Sequence, residues 1–258
     1  MSLLLWIILF SLLGGVLSVL AASIFLLLPE EIRLRSIPHF VSFAIGALLG
    51  ASFLALLPHA LIQASDVHSI GLAVLLGVLA FFILEKMVLW RHCHAEHCEA
   101  HSPESSVAEG KAAGSLILIG DALHNFVDGV LIAAAFLTDI HLGIVTSMAI
   151  AAHEIPQEVG DFAVLLHSGF SRTRAFVFNV IASLATVVGA LIGYMSLDGA
   201  QTLLPYVLAV AASSFIYIAV ADLIPGLHKR IHLSATIQQV GLIILGVVTI
   251  YLAHSTLH

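Results

Sequence analysis

Eight long apolar runs, separated by short polar links, decide what this chain can fold into. A helix needs about 20 consecutive apolar residues to cross the hydrocarbon core of a bilayer. In lipid, backbone groups must pair within a helix or a closed barrel, and these runs lack the period-2 alternation of barrel strands. The sequence therefore predicts an all-α membrane protein with eight transmembrane helices, called spans 1 to 8: Leu3 to Leu28, Pro38 to Ile62, Ser69 to Leu89, Gly114 to Thr138, Leu142 to His167, Ala175 to Leu197, Thr202 to Leu227 and Thr236 to Leu252.

The composition supports a lipid bilayer as the solvent of this chain. Hydrophobic residues make up 60% of the sequence, charged residues 10%, and the mean hydropathy is +1.10, far above that of a water-soluble domain. A formal charge of -7 without any basic stripe argues against nucleic acid as a partner. We expect residues 1–258 to form a single transmembrane transporter domain, with span 1 retained because it is too long for a signal-peptide core.

The basic residues predict the orientation in the membrane. All nine fall near links on one side of the predicted bundle, and the links on the other side carry Asp66, Asp139 and Asp198 and no Lys or Arg. By the positive-inside rule, the protein is a multi-pass protein of the cell membrane with both termini extracytoplasmic. The nine residues are Arg33, Arg35, Lys86, Arg91, Lys111, Arg172, Arg174, Lys229 and Arg230.

One link, residues 90–113, is long enough to do more than turn the chain. We expect it to be a cytoplasmic, His-rich loop, because four His and both Cys lie between His92 and His101. A disulfide is not expected in a reducing compartment, and the spacing is not that of a closed structural zinc site. Weak metal capture and a solvated low-complexity loop both remain open.

Two polar clusters interrupt the apolar runs of spans 4 and 5. An ionisable side chain at the bilayer centre costs about 2.5–3.5 kcal/mol on insertion scales, so a dense group of them indicates function. The chemistry on offer is imidazole, carboxylate and amide, which suits a divalent transition metal such as zinc. The candidate ligands are His124, Asn125, Asp128, His153, Glu154, Gln157 and Glu158.

A tight turn predicted at Asp139 to His141 makes spans 4 and 5 an antiparallel hairpin. His124 and Asp128 are four residues apart and share one helix face, as do His153 and Gln157. All seven candidates can therefore converge on one layer near the midplane. A polar zipper that merely joins the helices is the structural alternative, but so many carboxylates and imidazoles would repel one another without a cation.

Other polar residues support weaker hypotheses. Asp222 in span 7 is predicted to be functional because no basic residue of its span pairs with it. Asp121 and His167 mark an exit route or are solvated at the interface, and both explanations stay open. Glu85 is interpreted as a local interfacial partner of Lys86.

The motifs of spans 4 and 5 resemble the signature of the ZIP family of metal transporters, in the subgroup with a His-Glu-x-Pro-His-Glu motif. They read Asp-Ala-Leu-His-Asn-Phe-Val-Asp-Gly-Val from Asp121 and His-Glu-Ile-Pro-Gln-Glu-Val-Gly-Asp from His153. The resemblance extends to Leu-Leu-Pro-His before Ala60 and Asp-Leu-Ile-Pro from Asp222. It implies uptake of Zn²⁺ into the cytoplasm, with Fe²⁺, Mn²⁺ or Cd²⁺ accepted by some members. A homodimer is left open.

The resemblance also implies an architecture and a ligand set. Spans 1 to 3 and 6 to 8 would be inverted repeats around the central hairpin of spans 4 and 5. One metal would bind His124, Asp128, His153 and the residue at 157, and a second would lie near Asn125, Glu154 and Asp128. This chain departs from the subgroup at Gln157, a weaker zinc ligand than the usual His, and at Ala55, where relatives often have His.

An enzyme is the alternative from another functional class. His153, Glu154 and Gln157 superficially resemble the His-Glu-x-x-His motif of zinc metalloproteases, so an intramembrane zinc metalloprotease was considered. Gln157 replaces the second His, and Pro156 interrupts the helix that this motif needs. A metal sensor without transport also remains open at this point.

Overall fold

The computed structural model describes residues 2–92, 107–228 and 232–257, and within these residues the chain is helical, without strands. The eight spans form the bundle that the apolar runs predict. Their helices are Leu3–Gly14 and Val16–Phe25 (span 1), Glu30–Ala51, Ser52–Leu56 and Leu57–Gln63 (span 2), Val67–His92 (span 3), Val107–Thr138 (span 4), Ile140–His167 (span 5), Arg172–Leu197 (span 6), Gln201–Leu203, Leu204–Tyr217, Ile218–Leu223 and Ile224–Leu227 (span 7), and Leu233–Leu257 (span 8).

Seven of the spans in the described residues are long and apolar enough to cross a membrane on their own. Span 5 is the exception, although its 28 residues exceed the length that a bilayer requires. Its second half carries the polar cluster that begins at His153, and these side chains lower its hydropathy. Span 5 instead packs against spans 1, 2, 4 and 6, which separate its polar side chains from lipid.

Several helices extend beyond the apolar runs. Span 2 begins at Glu30, so Pro38 lies inside its helix rather than at the start. Span 3 continues to His92 and span 4 begins at Val107, which places both ends of the predicted loop 90–113 in helix. The centre of that loop, residues 93–106, lies outside the described residues.

The predicted hairpin of spans 4 and 5 is confirmed. Span 4 ends at Thr138 and span 5 begins at Ile140, with Asp139 as the cap between them. The Asp139 carboxylate accepts hydrogen bonds from the backbone N–H groups of His141 and Leu142, at 2.8 and 3.0 Å. This satisfies donors that the first turn of a helix would otherwise leave free.

Spans 4 and 6 pack with their backbones in direct contact. A Cβ atom at Gly129 would overlap the carbonyl of Thr186, and one at Gly189 would overlap the carbonyl of Phe126. Only glycine permits this approach at either position, as in the small-residue interfaces of other membrane helices. The approach fixes the rotation of span 4 about its own axis, and so the direction of every side chain of the first polar cluster.

The remaining helices pair in a symmetric pattern. Span 2 packs on span 8, with Gly46 against the Ile243 backbone, and span 3 packs on span 7. Exchanging spans 1 to 3 with spans 6 to 8 converts one pair into the other, as an inverted repeat requires. Spans 2 and 7 each also contain a π-helical segment, Ser52–Leu56 and Ile218–Leu223, followed immediately by a Leu-Pro or Ile-Pro step.

Candidate metal centre

Four side chains of the central hairpin direct one ligand atom each towards a common point. His124 and Asp128 come from successive turns of span 4, and His153 and Glu154 are neighbours in span 5. The two Nε2 atoms of His124 and His153 lie 3.2 Å apart. The Asp128 and Glu154 oxygens lie 3.4 to 3.7 Å from these nitrogens.

These separations fit the edges of a tetrahedron around a zinc ion. Ligands at Zn–N and Zn–O distances of about 2.0–2.2 Å in tetrahedral geometry are about 3.3–3.6 Å from one another. Five of the six edges among the four side chains measure between 3.2 and 3.7 Å. Five of the six separations therefore match those expected of a tetrahedral zinc site.

The tautomer of His153 favours metal binding. Its Nδ1 lies 3.1 Å from the Ala149 carbonyl oxygen, which can only accept, so Nδ1 carries the hydrogen and donates it. The lone pair of Nε2 is then directed at the other three ligand atoms. A histidine ligand is commonly oriented in this way by a hydrogen bond from its second ring nitrogen.

The two carboxylates of this group are buried, so keeping them ionised without a cation costs free energy. Asp128 and Glu154 are 1% and 0% exposed, and their side-chain oxygens accept no hydrogen bond from the described residues. In the described part of the chain, Asp128 and Glu154 each form ion pairs with His124 and His153, and neither pairs with Lys or Arg. Buried carboxylates that face only imidazoles are normally compensated by a metal or by protonation of the imidazoles.

Neighbouring side chains hold both polar groups of the Asn125 amide. Its amide nitrogen donates to a side-chain oxygen of Asp121 at 2.9 Å, and its amide oxygen accepts from the Thr186 hydroxyl at 2.7 Å. Both groups of the amide are therefore engaged between spans 4 and 6. The sequence analysis did not identify Thr186, because an isolated threonine in an apolar span carries no signal of its partner.

The other two predicted ligands of span 5 occupy different positions. Glu158 is buried and lies beside Asp121 and Glu154 rather than beside the imidazoles. Gln157 is partly exposed, as is His124. The structure thus brings four of the seven candidates to one point, with Glu158 one turn further along span 5.

The structure places the residues of the weaker hypotheses, Asp121, Glu85 and Asp222, in different surroundings. Asp121 is 5% exposed and lies next to the centre, so interfacial solvation does not explain it. Glu85 accepts a hydrogen bond from the Tyr217 hydroxyl of span 7, which joins spans 3 and 7. Asp222 lies on the π-helical segment of span 7 and is exposed.

Comparisons with known proteins decide the family. A family model described as ZIP Zinc transporter matches residues 90–254, more than half of the chain. The chain belongs to the ZIP zinc transporter family. Zinc transporter ZIP13 of Mus musculus is 32% identical over 260 residues, which cover 88% of this chain and 72% of the relative.

Two further relatives extend the similarity. Zinc transporter YKE4 of Saccharomyces cerevisiae is 32% identical over 210 residues, covering 72% of this chain and 59% of the relative. Zinc transporter ZIP10 of Homo sapiens is 38% identical over 149 residues, covering 54% of this chain and 18% of the relative.

Membership of the ZIP family establishes the general function. The chain is a membrane protein that transports a divalent metal, zinc, and it is not an enzyme. The metalloprotease alternative is therefore wrong. In the structure, Glu154 lies among the ligand atoms themselves, whereas the glutamate of a zinc protease acts as a general base beside them.

Proposed function

We propose that this protein carries Zn²⁺ into the cytoplasm through the centre formed by His124, Asp128, His153 and Glu154 between spans 4 and 5. The observation that carries the proposal is the set of five separations of 3.2 to 3.7 Å among their ligand atoms. Two imidazoles and two carboxylates complete a tetrahedral site for zinc.

The charge of the centre suits a carrier that must cross a medium of low dielectric constant. Two carboxylates balance the two charges of Zn²⁺, so the loaded centre is neutral when both imidazoles are neutral. A neutral group costs far less to hold in the bilayer than a net charge. His124 has the most accessible side chain of the four, 21% exposed.

The predicted orientation and the membrane potential together favour inward transport. With the nine basic residues cytoplasmic, both termini lie outside the cell membrane, and residues 1–258 act as a single transporter domain. An inside-negative potential of about 100 mV favours inward movement of two charges by about 4.6 kcal/mol, if the protein moves no compensating charge. A homodimer remains a prediction, to be checked by the mass of the purified protein.

The rest of the predicted ligand set belongs to the same proposal. Gln157 is expected to offer an amide oxygen to the ion during loading or release, and Asn125 and Glu158 to serve a position adjacent to the first. Carboxylate and amide oxygens suit Mn²⁺, and imidazole suits Fe²⁺ as well as Zn²⁺. We expect Fe²⁺, Mn²⁺ and Cd²⁺ to compete with Zn²⁺ during uptake.

Radiometal uptake into proteoliposomes tests this function. The wild-type protein is expected to give saturable ⁶⁵Zn²⁺ uptake, with Fe²⁺, Mn²⁺ and Cd²⁺ as competitors. His124→Ala and Asp128→Ala should abolish uptake, because each removes one of four ligands. His68→Ala is the matched control, since His68 is exposed at the start of span 3. Uptake by both ligand variants at the rate of this control would refute the site.

A further inference from the structure

A cavity of about 440 Å³ opens at one end of the bundle, between spans 1, 2, 5 and 6. Its walls come from the end of span 1, the start of span 2, the last turns of span 5 and the start of span 6. By the predicted orientation this end of the bundle is cytoplasmic. The four residues of the zinc centre are not among those that line the cavity. Its volume is in the range of ligand sites in proteins, about 300–1,000 Å³.

The cavity combines an apolar wall with two positive charges. Arg33 of span 2 and Arg172 of span 6 both line it, and no Asp or Glu of the described residues does so. The N-terminal end of span 6 adds the partial positive charge of a helix dipole. An amphipathic anion fits such surroundings. The apolar side chains that complete the wall are Leu26, Leu27, Phe162, Leu166 and Phe176.

The guanidinium group of Arg33 lacks an acceptor. Its Nε atom is buried and donates no hydrogen bond to any residue that the structure describes. Among these residues, no carboxylate forms an ion pair with Arg33 or Arg172. Glu30 and Glu31 share the first turn of span 2 but are exposed and do not line the cavity. A buried donor left in this way costs free energy, so Arg33 is arranged for an acceptor from outside these residues.

We propose that this cavity binds an anionic phospholipid of the cytoplasmic leaflet, with its phosphate group at Arg33 and Arg172 and an acyl chain against Phe162 and Phe176. Guanidinium groups bind phosphate oxygens in a bidentate manner, and basic pockets between membrane helices on the cytoplasmic side suit anionic head groups. Both arginines lie in the first turn of their helices, at the depth where head groups are found. A water molecule or a free phosphate would satisfy Arg33 but would leave the apolar wall uncovered.

Lipid binding to the purified protein, counted by native mass spectrometry, tests the site. We expect one phosphatidylglycerol per chain, bound at least about ten-fold more tightly than phosphatidylcholine with the same acyl chains. The double variant Arg33→Gln, Arg172→Gln should weaken phosphatidylglycerol binding about ten- to thirty-fold, since it removes both charges of the cavity. A wild-type protein that binds the two lipids equally would overturn the proposal.

A second pair of arginines provides the matched control. Arg35→Gln with Arg174→Gln removes the same charge from the same two helices, but both residues are exposed and neither lines the cavity. Its affinity for phosphatidylglycerol should stay within about three-fold of wild type, because these charges act only through solvent. Equal affinities of the two double variants would overturn the assignment of the head group to this cavity.

A steric variant tests the position of the acyl chain without changing any charge. Ser23 of span 1 lines the cavity, so Ser23→Trp should fill part of it and weaken phosphatidylglycerol binding at least about ten-fold. Ile24→Trp is its control, because Ile24 is 67% exposed and lies outside the cavity. That variant should bind the lipid like the wild type. Equal affinities of the two tryptophan variants would overturn the placement of the lipid in the cavity.

Two further measurements separate the lipid from other occupants. Glycerol phosphate, which has the phosphate but no acyl chain, should not displace phosphatidylglycerol at millimolar concentration; displacement would show a site for free phosphate and overturn the lipid. Phosphatidylglycerol that binds only after residues 93–106 are deleted would assign the cavity to that acidic link instead, with the same consequence. The lipid should also raise the unfolding temperature of the wild type and of the Arg35, Arg174 variant more than that of the Arg33, Arg172 variant. None of these measurements depends on zinc uptake.

Discussion

The contact between spans 4 and 6 makes Gly129→Ala an informative substitution. The added methyl group would overlap the carbonyl oxygen of Thr186 and approach the backbone nitrogen of Ala190. Backbone atoms cannot move aside by changing rotamer, so the two helices must separate. Overpacking of this kind costs about 1–3 kcal/mol. Replacing glycine by alanine in a helix also contributes about 0.8–1 kcal/mol of favourable helix propensity.

Gly71→Ala is the matched control, because a Cβ atom at Gly71 in span 3 meets nothing within 4 Å. The propensity gain is common to both variants and cancels in the comparison. Gly129→Ala should therefore be less stable than Gly71→Ala by about 1–3 kcal/mol. The free energy of unfolding in detergent micelles, followed by circular dichroism during denaturation, measures this difference.

The same substitution should also reduce transport. Separation of spans 4 and 6 lengthens the hydrogen bond between Thr186 and Asn125, and with it the support of Asp121. Zn²⁺ uptake by Gly129→Ala should fall below that of Gly71→Ala in vesicles containing equal amounts of protein. Equal stability of the two variants would refute the argument that backbone contact at Gly129 sets the distance between these helices.

Three further outcomes are expected. Gln157→His places an imidazole four residues from His153, so the half-saturation concentration for Zn²⁺ should fall relative to that for Mn²⁺; an unchanged preference in a transporting variant would mean that residue 157 points away from the ion. Deleting residues 91–101 should leave saturable uptake in place, because the proposed zinc centre lies in spans 4 and 5; loss of flux in a correctly inserted protein would contradict this. Thr186→Val removes the hydroxyl that donates to Asn125 and should destabilise the protein by about 1–3 kcal/mol, measured by unfolding in detergent, whereas wild-type stability would show that this hydrogen bond contributes nothing.

The sequence was sufficient to predict the elements and the chemistry of this protein. Apolar runs of membrane length indicated the spans, because lipid leaves the backbone few ways to pair. The four-residue spacing of His124 and Asp128, with the tight turn at Asp139, predicted the layer of the hairpin where the imidazoles and carboxylates converge. In span 5 the polar cluster lowers the hydropathy of a helix that its neighbours enclose. Hydropathy alone would miss this span, so the position and length of the apolar run must be considered as well.

Only the tertiary structure decided which side chains share a space. Adjacent residues of a helix differ by about 100° in direction, so His124 faces span 5 while Asn125 faces span 6. That rotation is set by the contact of Gly129 with the Thr186 backbone, between residues distant in sequence. Periodicity along one span contains no information about its neighbour in space. The pairing of Asp121 with Glu158, and the hydrogen bond between Tyr217 and Glu85, therefore emerged only from the packed bundle.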